Sequence, residues 1–121
     1  MSLTVLAVDD SVTMRNMLEA ALSDAGFEVH LAEDGVDGIE TLSDLSPDVI
    51  ITDINMPRLD GFGFVDAVRS TDRLRGIPIL VLTTECDPAL KQRARDAGAT
   101  GWMVKPFDET KLISIIRRVA A

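Results

Sequence analysis

Five charged or hydroxyl side chains come at the ends of short apolar runs of the sequence, namely Asp9, Asp10, Asp53, Thr83 and Lys105. Apolar runs of this length, bounded by polar residues, are typical of strands buried within a parallel sheet. In open α/β folds, ligands bind beyond the carboxyl ends of such strands. The five residues are therefore expected to meet at one edge of a sheet, although they are spread over nearly the whole chain.

Three of these side chains are carboxylates, those of Asp9, Asp10 and Asp53, and they would repel one another at a shared edge. Two unit charges about 4 Å apart cost about 4 kcal/mol at an effective dielectric constant of about 20, so a proton, a cation or both must offset the repulsion. Oxygen ligands without histidine or cysteine favour a hard divalent ion, and a shallow cleft that keeps several waters suits Mg²⁺ better than Ca²⁺. Lys105 supplies a second, fixed positive charge. The residue types therefore predict a Mg²⁺ site beside a lysine.

A simpler interpretation is that the acidic residues are solvated loop residues or helix caps. It fits Asp10 taken alone, because Ser11 follows it at a predicted helix start. It does not explain why all five residues stand at the same end of their strands. Two other aspartates are less suited to the chemistry, because Asp48 begins a strand at the opposite edge and Asp60 precedes Gly61 as a turn or cap residue does.

Segments with the apolar spacing of strands alternate along the chain with segments that have the apolar spacing of helices. These segments predict the elements that position the five residues. Strands are predicted at residues 3–8, 27–31, 49–52, 77–82 and 102–104. Helices are predicted from Ser11 to a stop at Gly26, from Gly35 through Leu45 to a stop at Pro47, along the stripe of Phe62, Val65 and Val68, from Pro88 to Ala97 with Gly98 as the C-cap, and from Asp108 to Val119. Strands joined through helices are mostly parallel. The prediction is an α/β fold, a doubly wound five-stranded parallel sheet in the usual order 2-1-3-4-5 with helices on both faces.

Size and composition limit the possible functions. A chain of 121 residues, 46% of them hydrophobic, is expected to form a single domain over residues 1–121. The net charge of −8, without a basic patch, argues against nucleic acid and against an anionic membrane surface as partners. The lone Cys86 and the lack of an apolar leader or a run of membrane-spanning length indicate a cytoplasmic protein.

Short motifs surround the five residues. They are VDDS at residues 8–11, ITDINMP at 51–57 followed by DG at 60–61, LTT at 82–84, and AGATGW at 97–102 followed by VKPF at 104–107. Each motif is weak alone, but in this order and at this spacing they are strongly specific. Through them the chain resembles, over essentially its whole length, the receiver domains of two-component response regulators, above all those of the CheY-like chemotaxis type with their flavodoxin-like fold.

The resemblance implies a role for each residue of the site. Asp53 is the expected phosphoacceptor, a carboxylate nucleophile that forms an acyl phosphate. Asp9, Asp10 and Asp53 are expected to hold Mg²⁺, with the backbone carbonyl of Asn55 as a further ligand. Lys105 is expected to neutralise charge on the phosphoryl group, aimed by a cis bond to the following proline. Such a protein is a signalling switch rather than an enzyme, since it catalyses only its own phosphorylation and dephosphorylation.

The resemblance also implies how the phosphate is read out. Thr83 is expected to donate its hydroxyl to a phosphoryl oxygen and to draw its loop towards Asp53. Asn55 and Glu85 occupy positions that tune the lifetime of the acyl phosphate, and an amide paired with an acid predicts rapid loss of phosphate. Trp102 stands where this family usually has Tyr or Phe, so its ring either moves together with Thr83 or packs against the last helix.

The protein is expected to signal through a surface that changes on phosphorylation, because no further domain follows the last predicted helix. The expected surface comprises the fourth helix, the fifth strand and the fifth helix, including Arg93, Trp102 and Lys111. By resemblance, a histidine kinase of the chemotaxis (CheA-like) type is the phosphodonor of a monomeric regulator, and a flagellar motor switch protein (FliM-like) is its target. A phosphorelay intermediate or phosphate sink that binds no motor remains an open alternative.

Two other classes of protein fit less well. A flavodoxin-type FMN module needs a hydroxyl- and glycine-rich phosphate loop where this chain has Asp9 and Asp10, whose charges would repel the FMN phosphate. A phosphatase of the haloacid dehalogenase type places its nucleophilic Asp after the first strand, with a second Asp two positions on, and needs a longer chain. The adjacent acidic pair and the length of 121 residues argue against it.

Overall fold

Strands and helices alternate along residues 2–120, the part of the chain that the structure, a computed structural model, describes. The strands are β1 (Thr4–Val8), β2 (Glu28–Ala32), β3 (Val49–Thr52), β4 (Ile79–Thr83) and β5 (Gly101–Val104). The helices are α1 (Val12–Asp24), α2 (Gly35–Leu42), α3 (Gly61–Arg69), α4 (Pro88–Ala97) and α5 (Glu109–Val119). A short 3₁₀ turn, Asp72–Leu74, was not predicted and lies between α3 and β4.

Strands β1 to β5 form one parallel sheet in the order β2-β1-β3-β4-β5, which confirms the predicted fold. In the register of this sheet Val8 lies beside Thr52, and Thr83 lies beside Val104. The residues that follow these strand ends therefore leave the sheet at the same edge. The topology thus brings together the acidic and basic residues that the sequence separates.

Apolar layers fill the space between the sheet and the helices on both of its faces. Leu22 of α1 and Leu112 of α5 are fully buried against one face. Leu42 of α2 and Phe64 of α3 are buried against the other face, where Ala94 of α4 extends the layer. Burying a Leu or Phe side chain contributes roughly 1.5–3 kcal/mol. The two layers therefore hold the strand ends, and the loops that follow them, in fixed relative positions.

Each of the helices α1 to α5 begins with a side chain that accepts a hydrogen bond from a free backbone amide of its first turn. These N-cap residues are Ser11, Asp34, Asp60, Asp87 and Asp108. At the other end of α4, Gly98 has a φ of 113°, in the left-handed region that glycine adopts without strain. The predicted caps at Ser11, Asp108 and Gly98 are confirmed. Because the caps satisfy backbone donors that helix formation leaves unpaired, they fix where each helix starts after its loop.

Some predicted boundaries are wrong by a few residues. β2 begins one residue later than predicted, because the Phe27 amide bonds back to the end of α1. β4 begins at Ile79 rather than at residue 77, since the Ile77 amide donates to the preceding 3₁₀ turn. α2 ends before the predicted Leu45, because Ser43 donates both its amide and its hydroxyl to a carbonyl of the last turn. Leu45 packs against the core from the loop instead.

Candidate functional site

Lys105 joins two of the acidic side chains at the carboxyl edge of the sheet. Its Nζ atom lies 2.7 Å from Asp9 Oδ2 and 2.8 Å from Asp53 Oδ2. All three groups are largely withdrawn from solvent, with Asp9 2% exposed, Asp53 8% exposed and the Lys105 side chain 10% exposed. The predicted convergence of these three residues is therefore present in the structure.

The backbone fixes the second oxygen of each buried carboxylate. Asp9 Oδ1 accepts a hydrogen bond of 2.9 Å from the Ser11 amide, and Asp53 Oδ1 accepts one of 2.6 Å from the Ile54 amide. Arg15 of α1, a residue that the sequence analysis did not single out, donates from Nη1 to the Asp9 carbonyl at 2.6 Å. Hydrogen bonds to charged groups are shorter and stronger than neutral ones. Both carboxylates are therefore held in defined orientations.

Asp10 completes a group of three carboxylates. Oxygen atoms from Asp9, Asp10 and Asp53, one from each, all lie within 4.8 Å of one another, and Asp10 is exposed while the other two are buried. One lysine cannot balance three negative charges at this spacing. An all-oxygen set of donors that is open to water on one side fits a hard divalent cation such as Mg²⁺. The residues present therefore fit the metal that the sequence predicts.

The pKa of the Lys105 ammonium is raised above its usual range. Burial alone would lower it, but the hydrogen bonds to Asp53 and Asp9, together with the negative charge of the two carboxylates, outweigh that effect. Lys105 is therefore charged at neutral pH. The fixed positive charge that the sequence predicts stands between the two buried carboxylates.

Two loops border this acidic group, one after β3 and one after β4. Asn55 Nδ2 in the first loop donates a hydrogen bond of 2.8 Å to Glu85 Oε1 in the second. The Glu85 amide donates to Thr83 Oγ1 at 3.3 Å. Thr83 is the last residue of β4 and is fully buried. The expectation that Thr83 belongs to a partner surface is therefore wrong, because its side chain is buried.

The chain after β5 turns at a cis peptide bond between Lys105 and Pro106, as the resemblance implies. The Lys105 amide donates to the Thr83 carbonyl at 2.7 Å, which continues the pairing of β4 and β5 to the edge of the sheet. The lysine side chain thus starts at the same edge as the carboxylates that it contacts.

The loop after β3 folds back on itself, so that Gly61 at its end lies against the backbone of Asp53 and Ile54 at its beginning. The Gly61 amide donates to the Ile54 carbonyl at 2.8 Å. A Cβ atom on Gly61 would lie 2.2 Å from the Asp53 carbonyl oxygen and 2.8 Å from the Ile54 Cα atom, both of them backbone atoms that cannot give way. The short loop after Asp53 therefore closes only because residue 61 has no side chain.

The two rival aspartates have the structural roles that the sequence predicts. Asp48 Oδ2 accepts a hydrogen bond of 2.7 Å from the Thr4 amide, at the start of β1 and so at the opposite edge of the sheet. Asp60 Oδ1 accepts one of 2.9 Å from the Gly63 amide as the N-cap of α3. Neither belongs to the group formed around Lys105.

Trp102 lies on the α4 side of the sheet. It is in register with Val81 and packs in the same apolar cluster as Phe62 and Ala94. The alternation of side chains along β5 directs residue 102 to this face, and Trp102 also lines a groove together with Ile115 and Val119 of α5. Arg93 of α4 stacks its guanidinium on Phe62 of α3, 4.0 Å from the ring centroid. Arg93 therefore contributes to the contact between α3 and α4.

An ion pair on the loop after β3 was missed by the sequence analysis. Arg58 Nε lies 2.7 Å from Asp34 Oδ2, and Arg58 Nη2 lies 3.1 Å from Asp34 Oδ1. The hydrogen bond from Arg58, followed by that from the Asp37 amide, lowers the pKa of Asp34, and the same ion pair raises the pKa of Arg58. The sequence signal is weak, since a capping aspartate and a loop arginine 24 positions apart become neighbours only in the folded chain.

Comparisons of the sequence agree with this geometry. The family model described as the response regulator receiver domain matches residues 5–117. A probable chemotaxis protein CheY of Rhizobium etli is 39% identical over 116 residues, which cover 95% of this chain and 90% of the relative. The response regulator MprA of Mycobacterium ulcerans is 38% identical over 117 residues, which cover 97% of this chain but only 50% of the relative. The chain thus spans about half the length of that second protein.

Solved structures show the same fold. The chemotaxis response regulator CheY4 of Vibrio cholerae is 46% identical, with a TM-score of 0.92 and coverage of 98% of this chain and 99% of the other. The receiver domain of the sensor histidine kinase PA1611 of Pseudomonas aeruginosa is 27% identical, with a TM-score of 0.92 and coverage of 99% and 98%. That structure is described as having a magnesium ion coordinated in its active site cleft. Sequence and structure therefore indicate the same group of proteins.

Proposed function

Since this chain belongs to the family of response regulator receiver domains, we propose that it is phosphorylated on Asp53 by a histidine kinase and signals by phosphorylation-dependent binding of a partner. The observation that carries the proposal is the buried lysine that joins Asp9 and Asp53. Buried ion pairs contribute little stability compared with apolar residues of the same size. Their charges therefore favour a chemical role at this edge.

Asp53 is the proposed nucleophile. The Ile54 amide and the Lys105 ammonium each hold one of its oxygens, so that the carboxylate is oriented before a donor arrives. In the reaction an Asp53 oxygen forms a bond to phosphorus in line with the breaking bond to the donor histidine, whose imidazole leaves. Lys105 is placed to exchange its contact with Asp53 for one with a phosphoryl oxygen. The protein's contribution is thus positioning and charge, as phosphoryl transfer requires.

Asp9, Asp10 and Asp53 are the proposed side-chain ligands of Mg²⁺, with the backbone carbonyl of Asn55 as a further ligand. The spacing of the three carboxylates supports this set, and so does the magnesium ion in the PA1611 receiver domain. When bound, the ion supplies positive charge that offsets the charge of the phosphoryl group. Asp9 also keeps Lys105 in place, because it accepts the second hydrogen bond of the ammonium.

Thr83 is the proposed sensor of the phosphate. Its hydroxyl accepts a bond from the Glu85 amide and is free to donate its proton to a phosphoryl oxygen. A shift of Thr83 would pull on Glu85 and hence on the loop that leads into α4. Asn55 and Glu85, which are bonded to each other at the mouth of the site, are proposed to set how quickly the phosphate is lost.

The proposed output surface is formed by α4, β5 and α5. Three grooves lie beside Trp102 on this surface, and each has at least one cationic side chain in its lining, namely Lys91 and Arg95, Arg118, and Lys111, the last of them together with Asp108. A basic surface on a chain with a net charge of −8 favours an acidic partner segment. The names of the Rhizobium etli and Vibrio cholerae relatives support a role in chemotaxis, with a CheA-like kinase as phosphodonor and a FliM-like motor switch protein as target.

The proposed setting is a monomeric regulator of one receiver domain, residues 1–121, that acts in the cytoplasm. The 90% coverage of the Rhizobium etli relative favours this arrangement, whereas the 50% coverage of MprA favours a receiver domain within a longer protein. Among residues 2–120 there is no helix that is both long and apolar enough to cross a membrane. A mass measurement of the protein purified from its natural host would distinguish the two arrangements.

A phosphorylation experiment tests the proposed acceptor. Wild type, Asp53→Asn and Asp48→Asn are incubated with a small-molecule phosphodonor and Mg²⁺, and the intact mass is measured. Wild type and Asp48→Asn are expected to gain one phosphoryl group, because Asp48 lies at the opposite edge of the sheet. Asp53→Asn is expected to gain none. Equal modification of the Asp53→Asn variant would show that another residue is the acceptor.

A binding experiment tests the proposed partner. Phosphorylated and unphosphorylated protein are compared in pull-downs with a motor switch protein and with the phosphotransfer domain of a histidine kinase. The proposal expects phosphorylation to strengthen binding to the motor switch protein and Lys111→Ala to weaken it. Phosphate exchange with the phosphotransfer domain, without any motor binding, would favour the alternative of a phosphorelay intermediate or phosphate sink.

A further inference from the structure

Arg58 has a backbone conformation that arginine rarely adopts. Its φ is 66°, in the region that favours glycine. The Leu59 amide donates to the Pro57 carbonyl at 2.7 Å, so the chain forms a γ-turn with Arg58 at its centre. A γ-turn with a positive φ is strained, and it persists only where neighbouring groups hold it in place.

The N-terminal end of α2 supplies those neighbouring groups. Asp34 accepts two hydrogen bonds from the Arg58 guanidinium, and the Gly35 amide donates to the Leu59 carbonyl at 3.2 Å. A Cβ atom on Gly35 would lie 2.5 Å from that carbonyl oxygen, so the two segments are in direct backbone contact. Because Asp34 is only 3% exposed, its charge depends on this partner. We refer to these contacts as the Asp34–Arg58 clamp.

The clamp holds the far side of the loop after Asp53. The bond from the Gly61 amide to the Ile54 carbonyl joins the two ends of the same loop. Asn55, whose backbone carbonyl is a proposed ligand of Mg²⁺, lies between these two points. A loop held at its closure and at its far side has little freedom to move the carbonyl that it carries.

We infer that Arg58 is a positioning residue for the metal site, which sets the affinity for Mg²⁺ through the Asn55 carbonyl without itself touching the ion. The inference rests on the proposed function, in which Mg²⁺ binds beside Asp53. Outer-shell groups that orient metal ligands contribute about 10- to 100-fold to metal affinity in other proteins. Arg58 acts in this way through the backbone rather than through a ligating side chain.

A simple effect of charge would change the Mg²⁺ affinity of the Arg58 variants in the opposite direction. Arg58 is a cation in the loop that follows Asp53, so its removal would strengthen the attraction of the acidic group for Mg²⁺. The inference predicts that removal of Arg58 weakens binding instead, because the carbonyl is no longer held. The sign of the change therefore separates a positioning role from a simple effect of charge.

The test is a Mg²⁺ titration at constant ionic strength, in which binding is monitored through the amide chemical shifts of Asp10 and Asp53. Wild type is compared with Arg58→Ala, Arg58→Gly and the control Arg75→Ala, which removes one positive charge from an exposed pair with Asp72. The Kd for Mg²⁺ is expected to rise about tenfold in both Arg58 variants and to stay unchanged or fall slightly in the control. Arg58→Lys, which keeps the charge but not the two-pronged bond, is expected to lie between wild type and Arg58→Ala.

Two further results separate this role from a loss of stability. Arg58→Gly removes the strain of the γ-turn together with the ion pair, so it is expected to be more stable than Arg58→Ala while binding Mg²⁺ equally weakly. The Gly35 amide is expected to exchange with solvent faster in both variants without Mg²⁺. Normal Mg²⁺ binding by either Arg58 variant would overturn this inference but not the proposed metal site. A wild type that binds no Mg²⁺ would overturn the proposed metal site and the inference with it.

Discussion

The two loops that border Asp53 are held in very different ways. The loop after β3, residues 54–60, is tied down by the Asp34–Arg58 clamp and by the closure at Gly61, and its Ile54 is 2% exposed. The loop after β4, residues 84–87, is mostly exposed, and none of its residues joins an apolar cluster of the described chain. The Glu85 amide bonds to Thr83 Oγ1 at 3.3 Å, and the Glu85 side chain to Asn55.

This difference suits a molecule in which one loop does chemistry while the other transmits the result. Acceptor and metal ligands need fixed positions, since a small displacement costs much of the rate of phosphoryl transfer. A switching segment needs few buried contacts, because elements that move are drawn from the least stable parts of a fold. We therefore expect phosphorylation to move residues 84–87 and α4 while residues 54–60 stay in place.

The largest expected effect comes from a substitution of Gly61, where the loop after β3 closes. Gly61→Ala places a Cβ atom against the Asp53 backbone, so we expect a loss of about 3 kcal/mol in the free energy of unfolding together with a loss of phosphorylation. Gly76→Ala is the matched control, because a Cβ atom there would have no heavy atom within 4 Å. Denaturant titration of both variants checks this. Equal stability of the two would mean that the loop closure tolerates a side chain.

A smaller and pH-dependent effect is expected when the clamp is opened by Arg58→Ala. The ion pair lowers the pKa of Asp34 in the folded protein from its ordinary value of 3.8. Ionised Asp34 therefore stabilises the fold at higher pH, and this contribution is lost as the pH falls through the lowered pKa. The difference in denaturant midpoint between wild type and Arg58→Ala should be largest near neutral pH and should shrink below about pH 4.

The pH prediction has its control in Arg75→Ala, whose partner Asp72 has a side chain that is 92% exposed. Surface ion pairs of this kind contribute little to stability, so the midpoint of this variant should follow wild type at every pH. A gap between wild type and Arg58→Ala that persisted unchanged at pH 3 would show that the arginine acts by packing rather than through the charge of Asp34.

The sequence predicts the strand ends better than the loops that follow them. Apolar runs locate β3 correctly, and the parallel sheet then brings Asp53 to the edge occupied by Asp9. The clamp could not be predicted, because it depends on how the loop after β3 packs on the start of α2. The face of Trp102 was left open for a related reason, since β5 is too short for its alternation to show which side meets α4.

A moderate effect is expected from a substitution of Thr83, whose hydroxyl accepts a hydrogen bond from the loop after β4. Thr83→Ala removes the acceptor of the Glu85 amide, so we expect a loss of about 1 kcal/mol in the free energy of unfolding. Asp53 should still be phosphorylated in this variant, but the amide shifts of α4 and β5 should no longer change. Thr83→Ser, which keeps the hydroxyl, should restore the response. Shifts of normal size in Thr83→Ala would assign the sensor to another residue.

The smallest effect on stability is expected where the two loops touch, at the bond between Asn55 and Glu85. This bond is exposed, so Glu85→Ala should change the free energy of unfolding by at most about 0.5 kcal/mol. The lifetime of the acyl phosphate should nevertheless increase several-fold, because Glu85 holds the Asn55 amide at the mouth of the site, where it can orient an attacking water. The decay of phosphorylated protein, followed by intact mass, measures this lifetime.

Glu85→Gln separates the two ways in which Glu85 can act. Its amide oxygen still accepts the bond from Asn55, but the negative charge is gone. If the contact between the loops sets the lifetime, Glu85→Gln should lose phosphate as quickly as wild type while Glu85→Ala loses it slowly. If both variants were long-lived, the charge would be the cause. Residues 84–87 would then act on dephosphorylation through the charge of Glu85 rather than through its bond to Asn55.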